Sequence, residues 1–520
     1  MRYCRYGLHG LAVLVCFLGA GCPEAPQMPV EPGVLWLQFA HITDTHVLDD
    51  ESPARTVRLA DLFYESWRPQ EAYTTQVLDA TLQVLNAYHT GALQPQRRLD
   101  FVMHTGDAVD NAQYNELRWF MNTMDGGIVR PDSGLLDGPL RPVAPEDNPK
   151  LPFLAEGLLP EIPWYIARGN HDAQCSGTFR IATEAENPVD WMAPLLCPVA
   201  AVLGLHAFGM HGLSPTVDKS PAIILGSMDV ADPDSMRLRW DRLDCGTIPP
   251  DPRRQFVDAA RFAAEHFNST ALPPGHGLAY KPPLYYSVRP KADVPIRLVV
   301  LDTTAPEPPD GVPIAHGVMT RKQFEQFLKP QFAEAEAAGE YVLVASHHPS
   351  ADFNLFYGPG TVGTREFRAY LASQPRMIAH ICGHNHRNHL EMVSGRYPYP
   401  EIETCSLIDY PQEVRIIGLY YIEETGDWRI ESTMVSHMDN PTRLSAESFR
   451  RVSLSVGFEP SRESFEKRYG MAPEDVFPPD SAVLKRIGED RAWTKEETGG
   501  NSGDRNFSLV LPRQIARKSP

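Results

Sequence analysis

Five short polar stretches stand at the ends of apolar runs, and each holds side chains that can bind a cation. Asp44 and His46 close Thr43-Asp44-Thr45-His46 after the run Val34 to Ile42. Asp107 and Asp110 follow Leu99 to Met103, with Gly106 directly before the first of them. Asn170 and His171 lie in Gly169-Asn170-His171-Asp172, which closes Ile162 to Arg168. His347 and His348 follow Tyr341 to Ala345, and His384 and His386 follow Arg376 to Ile381 across Cys382-Gly383. In an extended segment residues two apart point the same way, so Asp44 with His46, and His384 with His386, are each expected to reach one ion together. Gly106 permits a tight turn that aims Asp107 back across the strand ends, where one carboxylate can bridge two ions.

With Asn170 and one of His347 and His348, the set is two carboxylates, one amide and four imidazoles, without sulfur. Such a mixed nitrogen and oxygen set suits two borderline ions such as Zn, Mn or Fe rather than Ca or Mg. Two ions sharing a carboxylate lie ~3.5–4 Å apart, acidify a bridging water and neutralise phosphoryl oxygens as charge develops. The chemistry this predicts is hydrolysis of a phosphoric ester, a metal-bridging hydroxide attacking phosphorus in line. His171 offers a further ligand nitrogen or a proton donor. Asp110 reads either as a capping or solvated acid or as the partner that holds His171 by a hydrogen bond. His104 reads as a satisfied core histidine.

The elements that must position these residues are strands ending at one edge, where ligands bind in α/β sheets. Val34–Ile42, Leu99–Met103, Trp164–Ala167, Ile296–Leu301, Tyr341–Ala345 and Arg376–Ile381 read as buried strands, and Ile402–Ile422 with Trp428–Val435 as strands of a second sheet. Helical spacing is expected over Gln76–Tyr88, Gln255–His266 and Thr320–Ala338. Insertions at about 125–160 and 173–290 are rich in Gly and Pro and read as a cap over the site, where specificity is often built. Arg55, Arg253, Arg254 and His276 are candidate substrate contacts. The plainer readings are a helix start at Ser52-Pro53, a solvated arginine pair and a turn histidine.

Arg2 and Arg5, the apolar stretch Gly7 to Leu18, and Gly19-Ala20-Gly21 before Cys22 have the form of an export signal over residues 1–21. Cys22 is expected to carry a lipid, making an envelope-anchored lipoprotein; the alternative is a secreted or periplasmic soluble protein. Residues 22–33 then form a Pro-rich tether, 34–440 the catalytic domain and 441–520 a C-terminal extension. Removing residues 1–21 leaves 46 basic against 66 acidic residues, a net charge of −20, which argues against binding long nucleic acids. The partner expected is a small phosphate ester, with the membrane touched only through the anchor. Cys175, Cys197, Cys245, Cys382 and Cys405 form no CxxC pair, so a cysteine zinc site is not expected. Cys175 and Cys197 could bridge, and Cys382 and Cys405 read as buried thiols.

In order, Asp44-x-His46, Gly106-Asp107-x-x-Asp110, Gly169-Asn170-His171-Asp172, His347 and Gly383-His384-x-His386 resemble the five motifs of the calcineurin-like metallophosphoesterase superfamily. The resemblance implies an α/β fold, a four-layer α-β-β-α sandwich of two mixed sheets. It also implies Asp44, His46, Asp107 and His386 on one metal, and Asp107, Asn170, His347 and His384 on the other. His171 would be the histidine that assists the leaving oxygen. Ser52 to Arg55, Trp67 to Glu71, Gly275 to Gly277 and Glu403 to Gln412 further resemble a group of exported bacterial members. A metal-dependent phosphoesterase is therefore expected, with phosphodiesters favoured over monoesters. The alternatives are a nuclease or nucleotide phosphohydrolase, and a non-catalytic surface binding protein on the same fold.

Overall fold

The computed structural model describes residues 33–52, 67–134, 144–180, 221–224, 244–247, 251, 253–304, 315–354, 358–456 and 494–512, with 466, 472 and 474. Twelve strands make two sheets: β1 (Val34–Ile42), β2 (Phe101–His104), β3 (Trp164–Ile166), β4 (Tyr286–Val288), β5 (Ile296–Val300), β6 (Tyr341–Ala345), β7 (Met377–Cys382), β8 (His389–Val393), β9 (Tyr399–Glu403), β10 (Glu413–Ile422), β11 (Asp427–Ser436) and β12 (Phe507–Leu511). The first sheet runs β12-β11-β10-β1-β2-β3 and the second β4-β5-β6-β7-β9-β8. Both are mixed. β1 pairs parallel with β2 and antiparallel with β10, while β5, β6, β7 and β9 are parallel and β4 and β8 close the edges antiparallel.

Strands buried on both faces need near-continuous apolar sequence, and β5 and β6 have it. Ile296, Leu298 and Val300 of β5, and Leu343 and Ala345 of β6, join the core shared with the first sheet. Their neighbours Val299, Val342 and Val344 face the other way, into a second cluster with Phe324, Phe332, Phe367 and Leu371. That outer cluster is covered by α4 (Lys329–Ala338) and α5 (Thr364–Leu371). On the far side α1 (Thr74–Thr90) and α2 (Tyr114–Asp125) bury Val77, Leu82, Phe120 and Met124 against the first sheet. The result is the expected α-β-β-α sandwich.

Several boundaries differ from the sequence reading. Ile402–Ile422 is not one strand: β9 ends at Glu403, a loop crosses the interior, and β10 begins at Glu413 in the other sheet. β10 and β11 pair with β1 and so belong to the first sheet, because a long antiparallel hairpin supplies that sheet's outer half. β12 adds its edge. The helix expected from Gln255 begins at Ala259, capped by the Asp258 carboxylate accepting from Arg261 N–H; this is α3 (Ala259–His266). Val257, Phe262, Ala263, Leu278 and Leu284 lie in the main core, so residues 253–290 belong to the body of the domain and not to a cap. Ser52 donates to Gln113 Oε1 at 2.7 Å, and the helix start expected at Pro53, together with Arg55, lies outside the described residues. Residues 1–32, Cys22 among them, and most of 181–250 also lie outside. Cys382 and Cys405 are free thiols and buried, as expected; Cys175 is buried, and Cys197, with the bridge expected between them, falls outside the described residues. Among the described residues no helix is long and apolar enough to cross a membrane.

Candidate metal centre

The five polar stretches meet at the carboxyl ends of β1, β2, β3, β6 and β7, and two glycines let them close. A Cβ on Gly169 would stand 2.0 Å from Asp107 Oδ1, and one on Gly383 would stand 2.4 Å from Asp44 Oδ2. No larger residue fits at either place while the carboxylates stay where they are. Asp172 ties two of the loops, its Oδ2 accepting from Gly169 N–H at 2.9 Å and its Oδ1 from Val109 N–H at 3.1 Å.

Four imidazoles are held in the same way. His46 Nδ1 donates to Asp110 Oδ1 at 2.8 Å, and His386 Nδ1 donates to Asp409 Oδ2 at 2.7 Å. His347 Nδ1 donates to the Thr105 carbonyl at 2.8 Å, and His384 Nε2 lies 3.1 Å from Asp352 Oδ2. In each ring the nitrogen so engaged faces outward and the other faces inward, where its lone pair can take an ion. Those inward nitrogens face one another and more lone pairs. His46 Nε2 lies 3.1 Å from His386 Nε2; His347 Nε2 lies 3.1 Å from Asp107 Oδ2 and 2.9 Å from Asn170 Oδ1; His384 Nδ1 lies 3.2 Å from that same amide oxygen. Asn170 Nδ2 donates to the Gly177 carbonyl at 3.0 Å, which fixes its oxygen inward. Asp44 Oδ1 is buried with no hydrogen-bond partner, 3.5 Å from His386 Nε2 and 3.8 Å from His46 Nε2.

A buried nest of lone pairs is unstable unless cations stand among them. Nitrogen ligands about 2.0–2.1 Å from a tetrahedral ion lie about 3.3–3.4 Å from one another, close to the spacings found. The residues therefore fit metal ions, and the donor sets Asp44/His46/His386, His46/Asp107/His171 and Asp44/Asp107/His347 each converge within one ion's reach. Asp44, His46 and Asp107 each belong to two of these sets, and Asp107 Oδ2 stands between His347 Nε2 at 3.1 Å and His46 Nε2 at 3.7 Å.

The route by which the side chains converge differs from the sequence expectation. Asp44, His46, Asp107, His384 and His386 all have left-handed backbone, with φ of 51°, 42°, 53°, 74° and 54°. The paired ligands meet through successive left-handed turns, not through the alternation of an extended segment. Such conformations cost roughly 1–3 kcal/mol each for residues with a Cβ, and they collect where function holds them.

The structure also places the remaining candidates. Asp110 is buried and not a helix cap: besides His46 it lies 3.4 Å from His171 Nδ1, which donates to the Asp110 carbonyl at 2.8 Å. His171 packs edge-on against His46 with ring centroids 4.5 Å apart. His104 is buried, its Nδ1 accepting from Gly106 N–H. His348 lies within reach of His347 and His384, but its Nδ1 bonds Thr303 Oγ1 at 2.8 Å and its Nε2 the Ala315 carbonyl at 3.1 Å. Arg253, Arg254 and His276 are not brought to the centre. Arg254 is fully buried in an ion pair with Asp49 at 2.8 Å, which neutralises both charges away from solvent. Arg253 clamps Asp251. His276 lies in the core with its ring 3.5 Å from that of Trp164. Sequence reasoning missed Asp352 and Asp409, the outward partners of His384 and His386. Asp409 lies in the stretch Glu403–Gln412, which the sequence singled out without giving that acid a role.

The charges are mutually stabilised. Burial pushes Asp107 up, but His347, His171 and His46 outweigh it and bring it down to about 2. Asp44 and Asp110 are likewise held well below the carboxylate range by their histidines, against burial. Burial pushes His347 and His386 down, yet Asp107 and Asp44 raise the first to about 9, and Asp409 and Asp44 raise the second to about 10. In the metal-free protein both rings thus hold a proton at neutral pH, a contribution to stability that is full below their unfolded pKa and lost as pH rises through 9 and 10. A metal takes the neutral ring, so uptake must expel those protons. Apparent affinity is expected to rise about tenfold per pH unit for each ion from pH 6 to 8. Calorimetry in buffers of different ionisation enthalpy checks it: titrations whose heats do not vary with buffer contradict proton release.

Residues 37–246 match the family model described as calcineurin-like phosphoesterase. Among solved structures the chain is similar to a dimetal phosphatase from Danio rerio, at 12% identity and a TM-score of 0.37, over 78% of this chain and 97% of that one. That likeness is too distant to inform on substrate. No curated protein matches.

Proposed function

We propose, from the match of residues 37–246 to the calcineurin-like phosphoesterase model, that the protein is a two-metal hydrolase of that family that prefers phosphodiesters to phosphomonoesters. The observation that carries the reading is the set of four imidazoles, each with one nitrogen pinned outward and the other aimed at the oxygens of Asp44, Asp107 and Asn170. Asp44, His46, Asp107 and His386 would hold one ion, and Asp107, Asn170, His347 and His384 the other. When bound, the ions supply Lewis acidity towards the phosphoryl oxygens and an acidified water for attack.

The chain's own residues do the rest. His171, with Nδ1 committed to the Asp110 carbonyl, exchanges protons at Nε2, the atom that would protonate the departing oxygen. Asp110 orients both His171 and His46 from one carboxylate. Support for a diester comes from the cations nearest the ligands in sequence. Arg168 is buried with a guanidinium nitrogen on the Asp172 carbonyl at 3.3 Å, and Arg387 is held by Glu403 at 3.0 Å. With these committed elsewhere, a single negative charge is met by the ions more readily than two.

The test is direct. The chain loaded with Mn or Zn is assayed on p-nitrophenyl phosphate and on its bis-ester, the bis-ester being expected to turn over faster. A protein that binds two ions and hydrolyses neither sinks the reading; faster turnover of the monoester sinks the preference. Affinity for DNA that falls steeply with salt would favour a nuclease instead. We further propose export with a lipid on Cys22. Metabolic labelling with palmitate is expected to mark the protein and to fail on Cys22→Ala.

A further inference from the structure

Two stretches singled out in the sequence, Trp67 to Glu71 and Glu403 to Gln412, are packed together by the fold directly behind a ligand. Asp409 Oδ2 accepts from His386 Nδ1 at 2.7 Å. Its other oxygen, Oδ1, lies 3.1 Å from Arg68 Nε and accepts from Gln70 Nε2 at 3.2 Å. Gln70 Nε2 also donates to the Ile408 carbonyl at 3.0 Å, and Asp409 N–H donates to Ser406 Oγ at 2.9 Å. Arg68 is fully buried. A buried guanidinium is costly to place in an interior, and it is found here against the carboxylate that sets His386.

This arm is in turn braced from beyond residue 440. The helix α6 (Arg443–Ser455) lies against it. Arg451 donates to the Pro69 carbonyl at 2.9 Å and sits 5.0 Å over the ring of Tyr73. Ser448 Oγ accepts from Gln412 Nε2 at 3.0 Å, and the same amide group donates to the Ile408 carbonyl at 3.3 Å. The loop that carries Asp409 also touches a second ligand of the same ion, since Leu407 N–H donates to the Asp44 carbonyl at 3.1 Å.

We propose that Arg68 and Gln70 are positioning residues of the metal centre: through Asp409 they fix the orientation and tautomer of His386, and α6 holds them there. The proposal rests on the two-metal reading above. A carboxylate accepts from His386 only while it is aimed at Nδ1. With both of its oxygens held, Asp409 has one orientation, and His386 keeps its proton at Nδ1 and its lone pair at Nε2. Released from Arg68, the carboxylate is free to rotate and the imidazole to turn or exchange tautomers, either of which withdraws a ligand from one ion. The other ion, held by His347, His384 and Asn170, does not use this arm. The consequence is selective: one site weakens and the other does not.

The experiment is metal titration of the full chain by calorimetry, with Co as a spectroscopic probe of coordination, for wild type, Arg68→Met, Arg68→Lys, Gln70→Leu and Arg451→Met. Arg68→Met is expected to weaken one of two sites about 10- to 100-fold, the range for losing a partner behind a metal-bound histidine, and to change the visible spectrum of that ion alone. Arg68→Lys is expected to restore part of the affinity, and Gln70→Leu and Arg451→Met to lower it in the same site by less. Two unchanged sites, or two sites weakened equally, in any variant that folds would overturn the proposal. Should Arg68→Met not fold, Arg68→Lys and Gln70→Leu decide the matter by the same criterion. A wild-type chain that binds no metal would instead defeat the two-metal reading, an outcome visible before any variant is made.

Discussion

Asp107→Ala is expected to empty both metal positions and to lower kcat/KM by about 10³-fold or more, the scale of several kcal/mol of charge stabilisation that metal ions supply. The expectation follows from where the carboxylate lies. Its Oδ2 stands 3.1 Å from His347 Nε2 and 3.7 Å from His46 Nε2, so one oxygen serves ligand groups on both sides of the centre. Its Oδ1 accepts the backbone N–H of His171 at 2.8 Å, which ties the third polar loop to the second. Asp44 Oδ1 leans to one side, 3.5 Å from His386 Nε2 and 4.0 Å from His347 Nε2. Loss of any single histidine should therefore leave one ion more tightly bound than the other, whereas loss of Asp107 removes the anion that both need. It also removes the main partner that lifts His347 to about 9, so in the variant that ring should lose its proton at lower pH than in the wild type. Elemental analysis of the purified variant and a histidine titration followed by NMR read the two effects. Retention of two tightly bound ions would show that the carboxylate is not shared.

The ligands themselves were legible in the sequence because each stands where a buried strand stops. Val34–Ile42 and Tyr341–Ala345 carry their apolar pattern to the last residue, and the break to Asp, His or Ser is abrupt. The means of convergence was not legible. Asp44-x-His46 looks like a strand continuing, but Asp44 and His46 both turn left-handed, and only the tertiary contacts hold them so. The outward partners were invisible for a different reason. Asp409 is 23 positions from His386 and separated from it by two strands, and a single acid in a loop gives no periodic signal. Misplaced substrate contacts had the opposite cause. Arg254 and His276 look exposed in a stretch full of Pro and Gly, but Val257, Phe262 and Leu278 around them are core residues, and charge or ring is buried with its partner. The hairpin β10–β11 was assigned to the wrong sheet because strand sequence records burial and not which neighbour supplies it.

His171→Ala is expected to keep both ions and to lower kcat by about 10²–10⁴-fold, the range for a positioned proton donor. The separation of rate from metal content follows from the backbone. The contact from residue 171 to Asp107 is made by the main-chain N–H, which alanine retains. The ring itself is held by the Asp110 carbonyl at 2.8 Å and by packing against His46, and Asp110 still has His46 Nδ1 at 2.8 Å when the ring is gone. Gly177 shapes the other side, since a Cβ there would lie 2.3 Å from His171 Nε2. A group that protonates the leaving oxygen matters most when that oxygen leaves poorly. The deficit should therefore be large for an alkyl ester and small for p-nitrophenyl substrates, whose phenolate needs little help. A ligand role predicts a different pattern: the ion held by His46 and Asp107 would be lost, and the deficit would be the same for all leaving groups. Measuring metal content beside rates on two esters of unequal leaving-group pKa distinguishes the two, and a uniform deficit with one ion missing would move His171 from proton donor to ligand.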